Sequence, residues 1–457
     1  MAPLRRDRMS VDPGSMLTFV RFLFAFTIGS HILMVSTSIA LVLLISISEF
    51  LSIRKSDPVY EALARRLSKV FVISFGVGTA SGIVMAVELV GLFPSFMTLV
   101  ASTGAMVLLY AEMSAFFLEV LALVLYVYYW NSFRGRYSHW VVSIFVVAGT
   151  LASAVFITML NAWMNTPNGF DVSTFVSSGF KTITDVEPFA AFLTVSTVSQ
   201  VFHVLVTTIF AGSMVIGAYF AYWFVRSRDA GEKAMYSRAL KILGVIAIVT
   251  IMLAGISGSE EMGTLLVNQP LKYAALDGNT VPGTNLPDRF FGSIVNGSYV
   301  GGISIPGMQA LLARFETGVT MLPGLSKFPP NTWPPLLVST TFNVMTVGGL
   351  VLGLFMLVFF VSFVRKRRPY ESRRLLYVWI PAAVLAMLVY QLGWATDEVG
   401  RQPWIVYNVM TVAQAANTSD ALLLPGVIIF LFYLAVVPTT FYMYSRIFQG
   451  SHEEAPA

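Results

Sequence analysis

Nine apolar stretches, each long enough to cross a bilayer, leave this chain one class of architecture. They run roughly over residues 17–53, 69–91, 101–130, 140–163, 200–225, 239–256, 336–364, 374–395 and 424–447. In a hydrocarbon core the backbone N–H and C=O groups of a lone span must pair within it, so an apolar run of about 20 residues becomes an α-helix. A mean hydropathy of +0.74 and a charged fraction of 12% place lipid, rather than water, around most of the chain. The expected fold is an all-α integral membrane protein with nine transmembrane helices. The first stretch exceeds a simple span, so an interfacial or tilted turn is expected before Gly29. Met1–Ser15 lacks an apolar core followed by a small-residue cleavage site, so the first helix is expected to insert and stay.

A single polar interruption, Ser257–Pro335, breaks the pattern. It divides the chain into residues 1–256 with six helices, 257–335 as a long ordered loop between helices six and seven, and 336–457 with the last three. Basic residues cluster in alternate connections: Arg54, Lys55, Arg65, Arg66 and Lys69; Arg134 and Arg136; Arg226, Arg228, Lys233 and Arg238; and Arg365–Arg368 with Arg373 and Arg374. By the positive-inside rule the N-terminus is outside, the C-terminus is cytoplasmic, and the loop lies on the outer face of the cell membrane. Arg5, Arg6 and Arg8 point the other way, against four loops that agree. The same distribution accounts for the formal charge of +5, so no nucleic-acid partner is expected. Cysteine is absent, which excludes disulfides, Cys-x-x-Cys-His haem attachment, iron–sulfur clusters and thiolate ligation. Any metal must be held by His, Met or carboxylate.

Polar groups at membrane depth narrow the chemistry. Of four histidines, His31 and His203 fall within apolar stretches, while His139 and His452 are assigned to inner connections. A membrane histidine either bonds a neighbouring helix or ligates iron, and a Met such as Met345 can complete an electron-transfer haem. Met345 is one of 21 methionines, for which core packing is the commoner role. Glu112 and Glu119 are harder to dismiss, since a charge at mid-bilayer costs roughly 2.5–3.5 kcal/mol. Seven residues apart, they share a helical face and suit a proton relay, a metal-facing carboxylate or a hydrogen-bonded packing pair. Glu88 is read as interfacial. Glu398, Arg401 and two tryptophans mark the end of the eighth stretch, as interfacial anchors or as an iron ligand beside a propionate-binding Arg.

The order of several motifs adds to this. Gly400-Arg401-Gln402-Pro403-Trp404, Ala115-Phe116-Phe117-Leu118-Glu119, Asn161-Ala162-Trp163-Met164 and Gln269-Pro270-x-Lys272-x-Ala274-Ala275 together resemble subunit I of the cytochrome bd family of quinol oxidases. The resemblance runs from about Thr18 to Ile447. It implies oxidation of membrane quinol at the outer face and reduction of O2 to water. His203 and Met345 match the axial ligands of a low-spin haem b. His31 and Glu398 match ligands of two high-spin haems, one haem b and the other haem d or a further b-type haem. Glu119, Ser153 and Asn161 match parts of a proton path, with Glu112 as a possible member. Trp394 matches an aromatic residue between haems, and Arg21 and Arg401 match propionate-side arginines. Gln269, Lys272 and Asp277 match the quinol-binding loop, which lacks the long insertion of some members. The resemblance further implies a multi-span subunit II and, in some members, a small single-span subunit.

Three residues depart from the family pattern. Its other glutamate of the third span falls at Ala111, with Glu112 about 100° further around the helix unless a π-bulge intervenes. Asp277 replaces a usual Glu, and Asn343 replaces a usual Arg two residues before Met345. A divergent relative with another electron donor or only b-type haems is the nearest alternative. An ion transporter using Glu112 and Glu119 is a more distant one, lacking the expected repeats or broken helices.

Overall fold

The computed structural model describes residues 12–449 except Phe180, Asn296 and Gly297. Arg5, Arg6, Arg8, His452 and most of Met1–Ser15 lie outside the described residues. Among those described, nine helices are long and apolar enough to span a membrane. They are α1 (Pro13–Lys55), α2 (Pro58–Leu92), α3 (Met106–Tyr128), α4 (Arg136–Asn165), α5 (Thr197–Arg226), α6 (Ala230–Asn268), α7 (Leu337–Val364), α8 (Arg373–Gly400) and α9 (Leu423–Phe448).

Local chemistry sets several helix starts. Asp12-Pro13 and Asp57-Pro58 each place a carboxylate at the N-cap and a proline at the first helical position, where a missing N–H loses nothing. Asp12 accepts from the Gly14 and Ser15 N–H groups at 3.0 and 3.2 Å, and Asp57 accepts from Val59 at 3.0 Å. Helix α1 forms the centre of the bundle, packed on α2, α4, α5 and α9. Its most apolar window is 67% buried, against 11% for the peripheral α9. At the α1–α5 crossing, a Cβ on Gly212 would fall 1.9 Å from the Ser36 carbonyl oxygen, so only glycine permits this approach.

The structure departs from the sequence expectations in four places. Helix α1 has no turn before Gly29; it runs unbroken for 43 residues, and the Gly29 carbonyl accepts from Gln391 Nε2 of α8 at 2.8 Å. The third stretch starts late instead: its helix α3 begins at Met106, and a separate short helix, Pro94–Ser102, precedes it. Gly104 makes the corner at φ +78°, with Pro188 atoms 2.7 Å from where a Cβ would stand. Helix α8 continues to Gly400, so Glu398 lies in its last turn rather than after it. Helix α6 continues through Ser257 to Asn268, so the loop departs at Gln269 and not at Ser257. Within those turns Ser257 and Gly263 are buried, while Ser259 and Glu260 stay exposed. At 39 residues α6 is about 58 Å long, well beyond a hydrocarbon core of about 30 Å.

The loop is an ordered unit. It contains a short helix Pro270–Leu276, two antiparallel ribbons (Asp288–Phe290 with Ile303–Ile305, Ser293–Val295 with Ser298–Val300) and a helix Met308–Thr317. Its own apolar core includes Leu271, Leu276, Ala313, Leu322 and Leu325, closed against Leu265 of α6 and Val338 of α7.

Candidate functional site

The two intramembrane histidines are held by the same device. His31 Nδ1 on α1 lies 2.8 Å from Ser81 Oγ on α2, and His203 Nδ1 on α5 lies 3.0 Å from Ser257 Oγ on α6. Each serine hydroxyl gives its own proton to a carbonyl one turn back, Ser81 to Gly78 at 2.8 Å and Ser257 to Ala254 at 3.3 Å. Each histidine Nδ1 is therefore the donor, which leaves the Nε2 lone pair free in a neutral ring. Each serine is followed by a glycine whose missing Cβ would sit 3.4 Å from the imidazole Cε1: Gly82 beside His31, and Gly258 beside His203. The Met345 sulfur on α7 lies beside α8 in the same way, 3.3 Å from where a Cβ on Gly393 would be. Next to Gly393, Trp394 packs with Met387, Tyr390, Ile32 and Ala211 in a small cluster that joins α8 to α1 and α5.

Helices α3 and α4 present facing polar stripes. Ser153 donates to Glu112 and Thr150 donates to Glu119, each at 2.7 Å. Helix α3 is regular through both glutamates, so no π-bulge returns position 111 to this face, and Glu112 itself meets α4. Gly149 permits the approach, since a Cβ there would lie 2.8 Å from the Glu119 backbone N. His139, Ser143, Thr150, Ser153 and Asn161 fall within about 80° of one another around α4, so its polar face runs the length of the helix.

At the loop end of the bundle a buried network joins α4, α8 and the loop. The ammonium of Lys272, on the short helix Pro270–Leu276, pairs with Asp397 Oδ1. Asn161 Nδ2 donates to Asp397 Oδ2 at 2.6 Å, while its Oδ1 accepts from Arg401 at 2.6 Å. Arg401 also donates to Glu398 Oε2 at 2.5 Å, and Gln269 Nε2 donates to the Asn165 backbone carbonyl at 2.8 Å. Arg21 donates to Gln402 beside this group. Several buried polar atoms here have no protein partner: Arg401 Nε, Gln269 Oε1 and Glu261 Oε2. Buried polar groups are normally paired, so a cluster of open ones marks a place for a ligand.

Asp277 takes a separate position. It is buried within the loop and accepts from Gln309, whereas Lys272 pairs with Asp397. Burial, then the neighbouring Asp288 charge, pushes its carboxyl from 3.8 up to about 8.

Two expectations are overturned. His139 lies in the first turn of α4, not in a connection, and is 3% exposed. Glu88 is also 3% exposed and accepts from Thr27 of α1 at 3.1 Å, so protein rather than the membrane interface surrounds it. Asn161 groups with Asp397 and Arg401 rather than with Glu112 and Glu119. Asp397, the centre of the network, went unassigned in the sequence. Its signal was an acid one turn before a glycine at a helix end. The paired Ser-Gly steps at 81–82 and 257–258 were equally visible and equally unread.

These groups sit in a nine-helix membrane bundle, and comparison with known proteins gives its class, an oxidoreductase of the terminal oxidase kind. The chain belongs to the family described as Cytochrome bd terminal oxidase subunit I, which it matches over residues 19–452. It is a quinol oxidase subunit by that membership. A Bacillus subtilis protein provisionally named cytochrome bd menaquinol oxidase subunit I is 29% identical over 429 residues, covering 92% of this chain and 93% of the relative. The cytochrome bd ubiquinol oxidase subunit 1 of the same organism is 24% identical, covering 88% and 86%. The solved bd oxidase from Geobacillus thermodenitrificans superposes with a TM-score of 0.86 at 28% identity, covering 95% of this chain and 98% of that one.

Proposed function

We propose that this chain is the haem-bearing subunit of its oxidase, taking electrons from membrane quinol at the long loop and passing them to O2 to form water. The observation that carries this is the pair of serine-anchored histidines, each with Nε2 open and a glycine beside the ring. Anchoring Nδ1 is how proteins orient an imidazole that ligates metal through its other nitrogen. Among the described residues no three His, Cys, Asp or Glu side chains gather into a metal cage. Such a donor set suits porphyrin iron, which asks for one or two protein ligands.

His203 and Met345 are assigned to the low-spin haem b. His31 and Glu398 are assigned to the two high-spin haems, one b-type and the other haem d or a second b-type. When bound, these groups supply the electron transfer and oxygen chemistry. The chain's own residues do the rest. Arg401, with a buried open Nε, and Arg21 would pair with propionates. Gln269, Lys272 and Asp277 receive quinol oxygens, and Asp277 accepts a proton in its ionised form. Trp394, packed on Tyr390, Ile32 and Ala211, would lie between the haems as an aromatic neighbour. Glu119, Thr150, Ser153 and Glu112 carry protons along the α3–α4 seam. Two quinols release four electrons and four protons, and one O2 consumes four of each to give two waters. The loop is placed on the outer face of the cell membrane, with water made from inner-side protons. A multi-span subunit II, and in some assemblies a single-span one, completes the enzyme.

The test is a dithionite-reduced minus oxidised visible spectrum of the purified complex. His203→Ala is expected to abolish the low-spin b band, whereas His31→Ala is expected to keep it and change the high-spin bands. An intact low-spin band in His203→Ala removes the ligand assignment.

A further inference from the structure

The loop meets the bundle through a lysine that should not be buried without strong reason. Lys272 is 2% exposed, and the ion partner it reaches is Asp397, one turn before the end of α8. Its aliphatic stem crosses that last turn directly over Gly400. A Cβ at position 400 would stand 2.8 Å from Lys272 Cε, 3.1 Å from Cγ and 3.2 Å from Cδ. Asp397 and Gly400 are three residues apart and so share a face of α8. Glycine opens a notch on that face, and the carboxylate sits at the far end of it.

The receiving carboxylate is itself fixed. Asn161 Nδ2 holds Oδ2 at 2.6 Å, and Arg401 stands 4.0 Å from the same oxygen. A second tie lies next to the first: Gln269, at the cap of the same short helix, donates to the last residue of α4, Asn165. The short helix Pro270–Leu276 is thus registered at two points, on α4 and on α8. Only the tie to α8, Lys272 with Asp397, is an ion pair.

We propose that Asp397 is a positioning residue of the quinol site: it fixes Lys272, and through it the helix Pro270–Leu276, at the loop end of α8. Asp397 acts through Lys272 and does not itself touch quinol. Because Glu398 and Arg401 occupy the same turn, the pair sets the distance between the loop and that turn. The inference rests on the quinol-oxidase reading of the loop. Burying an ammonium and a carboxylate is costly unless the geometry is met, and removing one partner leaves the other stranded. Lost positioning of this kind costs on the order of tenfold or more in the step it serves.

The experiment uses the purified complex carrying Asp397→Asn, Asp397→Glu, Lys272→Met and the double variant Lys272→Met with Asp397→Asn. Three quantities are read: KM and kcat for a short-chain quinol, O2 consumption driven by a small one-electron reductant, and the rate of proteolytic cleavage within residues 278–335. Asp397→Asn is expected to raise KM about tenfold, to lower the quinol rate more than the reductant-driven rate, and to speed cleavage. Asp397→Glu is expected to recover part of the loss, and the double variant to be no worse than Lys272→Met alone. Equal loss of quinol-driven and reductant-driven rates together with haem would overturn the proposal and make Asp397 a support for Glu398. So would unchanged KM and cleavage. If the unmodified complex oxidises no quinol, the functional reading fails, while cleavage still reports whether Asp397 docks the loop.

Discussion

The two ends of the bundle bury similar polar side chains and treat them differently. At the end away from the loop, Glu49 of α1, Tyr126 of α3 and His139 of α4 form a closed triad. Glu49 Oε1 lies 2.6 Å from His139 Nδ1, the Tyr126 hydroxyl donates to Glu49 Oε2 at 2.8 Å, and His139 Nε2 meets the Tyr126 carbonyl at 2.9 Å. Aromatic rings of Tyr126, Trp130 and Phe133 surround the imidazole. Every hydrogen-bonding atom of the three side chains is used. At the loop end, by contrast, Arg401, Gln269 and Glu261 each leave a buried polar atom open. The closed cluster fastens three helices, and the open one is built to receive something. Between these two clusters the difference lies in the atoms left over rather than in buried charge.

The largest expected effect tests the closed end. Glu49→Ala strands the buried His139 and the Tyr126 hydroxyl, so it should cost about 3–5 kcal/mol of stability. Thermal unfolding of the purified complex should report the loss while KM for quinol stays constant. A change in KM with unaltered unfolding would erase the distinction between the two ends.

A middle-sized effect concerns pH on the loop side. Burial raises Asp277 to about 8, so its acceptor form accumulates as pH rises through that value. The rate of quinol oxidation should climb across this range, and Asp277→Asn should flatten the profile. The sign for stability is opposite. Between the ordinary value of 3.8 and about 8 the folded chain holds a proton that the unfolded chain has released. Stability contributed by this group therefore falls as pH rises through that window. A wild-type profile with no inflection near 8 would remove Asp277 as the acceptor.

The smallest effect lies at Asn343, which is buried, donates to the Ser339 carbonyl at 2.6 Å and leaves Oδ1 open. An added cation two residues from Met345 favours the reduced haem. Asn343→Arg should raise the low-spin midpoint potential by roughly tens of millivolts, read by redox titration. An unchanged potential would separate this position from the haem site.

The bundle was legible because lipid enforces long apolar runs, and the Asp-Pro steps mark where two of them begin. The continuation of α6 was hidden by Ser257, Gly258, Ser259, Glu260 and Glu261, a polar run that reads as loop although the helix carries on through it. Glu112 with Ser153 illustrates what one helix can tell: the face was readable, its partner on α4 was not. Asp397 escaped because its meaning comes from a lysine 125 residues away. His139 was misplaced because a polar run, Asn131 to Ser138, precedes it and hides the start of α4.

The same separation along the chain bears on how the protein is made. Synthesis is vectorial, and upstream segments form before downstream ones exist. The loop helix with Lys272 is complete while α8, which carries its socket, has still to be made. An ammonium can wait in water without penalty, whereas an apolar plug would bind whatever surface came first. The loop can already close on Leu265 of α6, Val338 of α7 and Asn165 of α4, so what must wait for α8 is the ion pair alone, the last contact to fix its register.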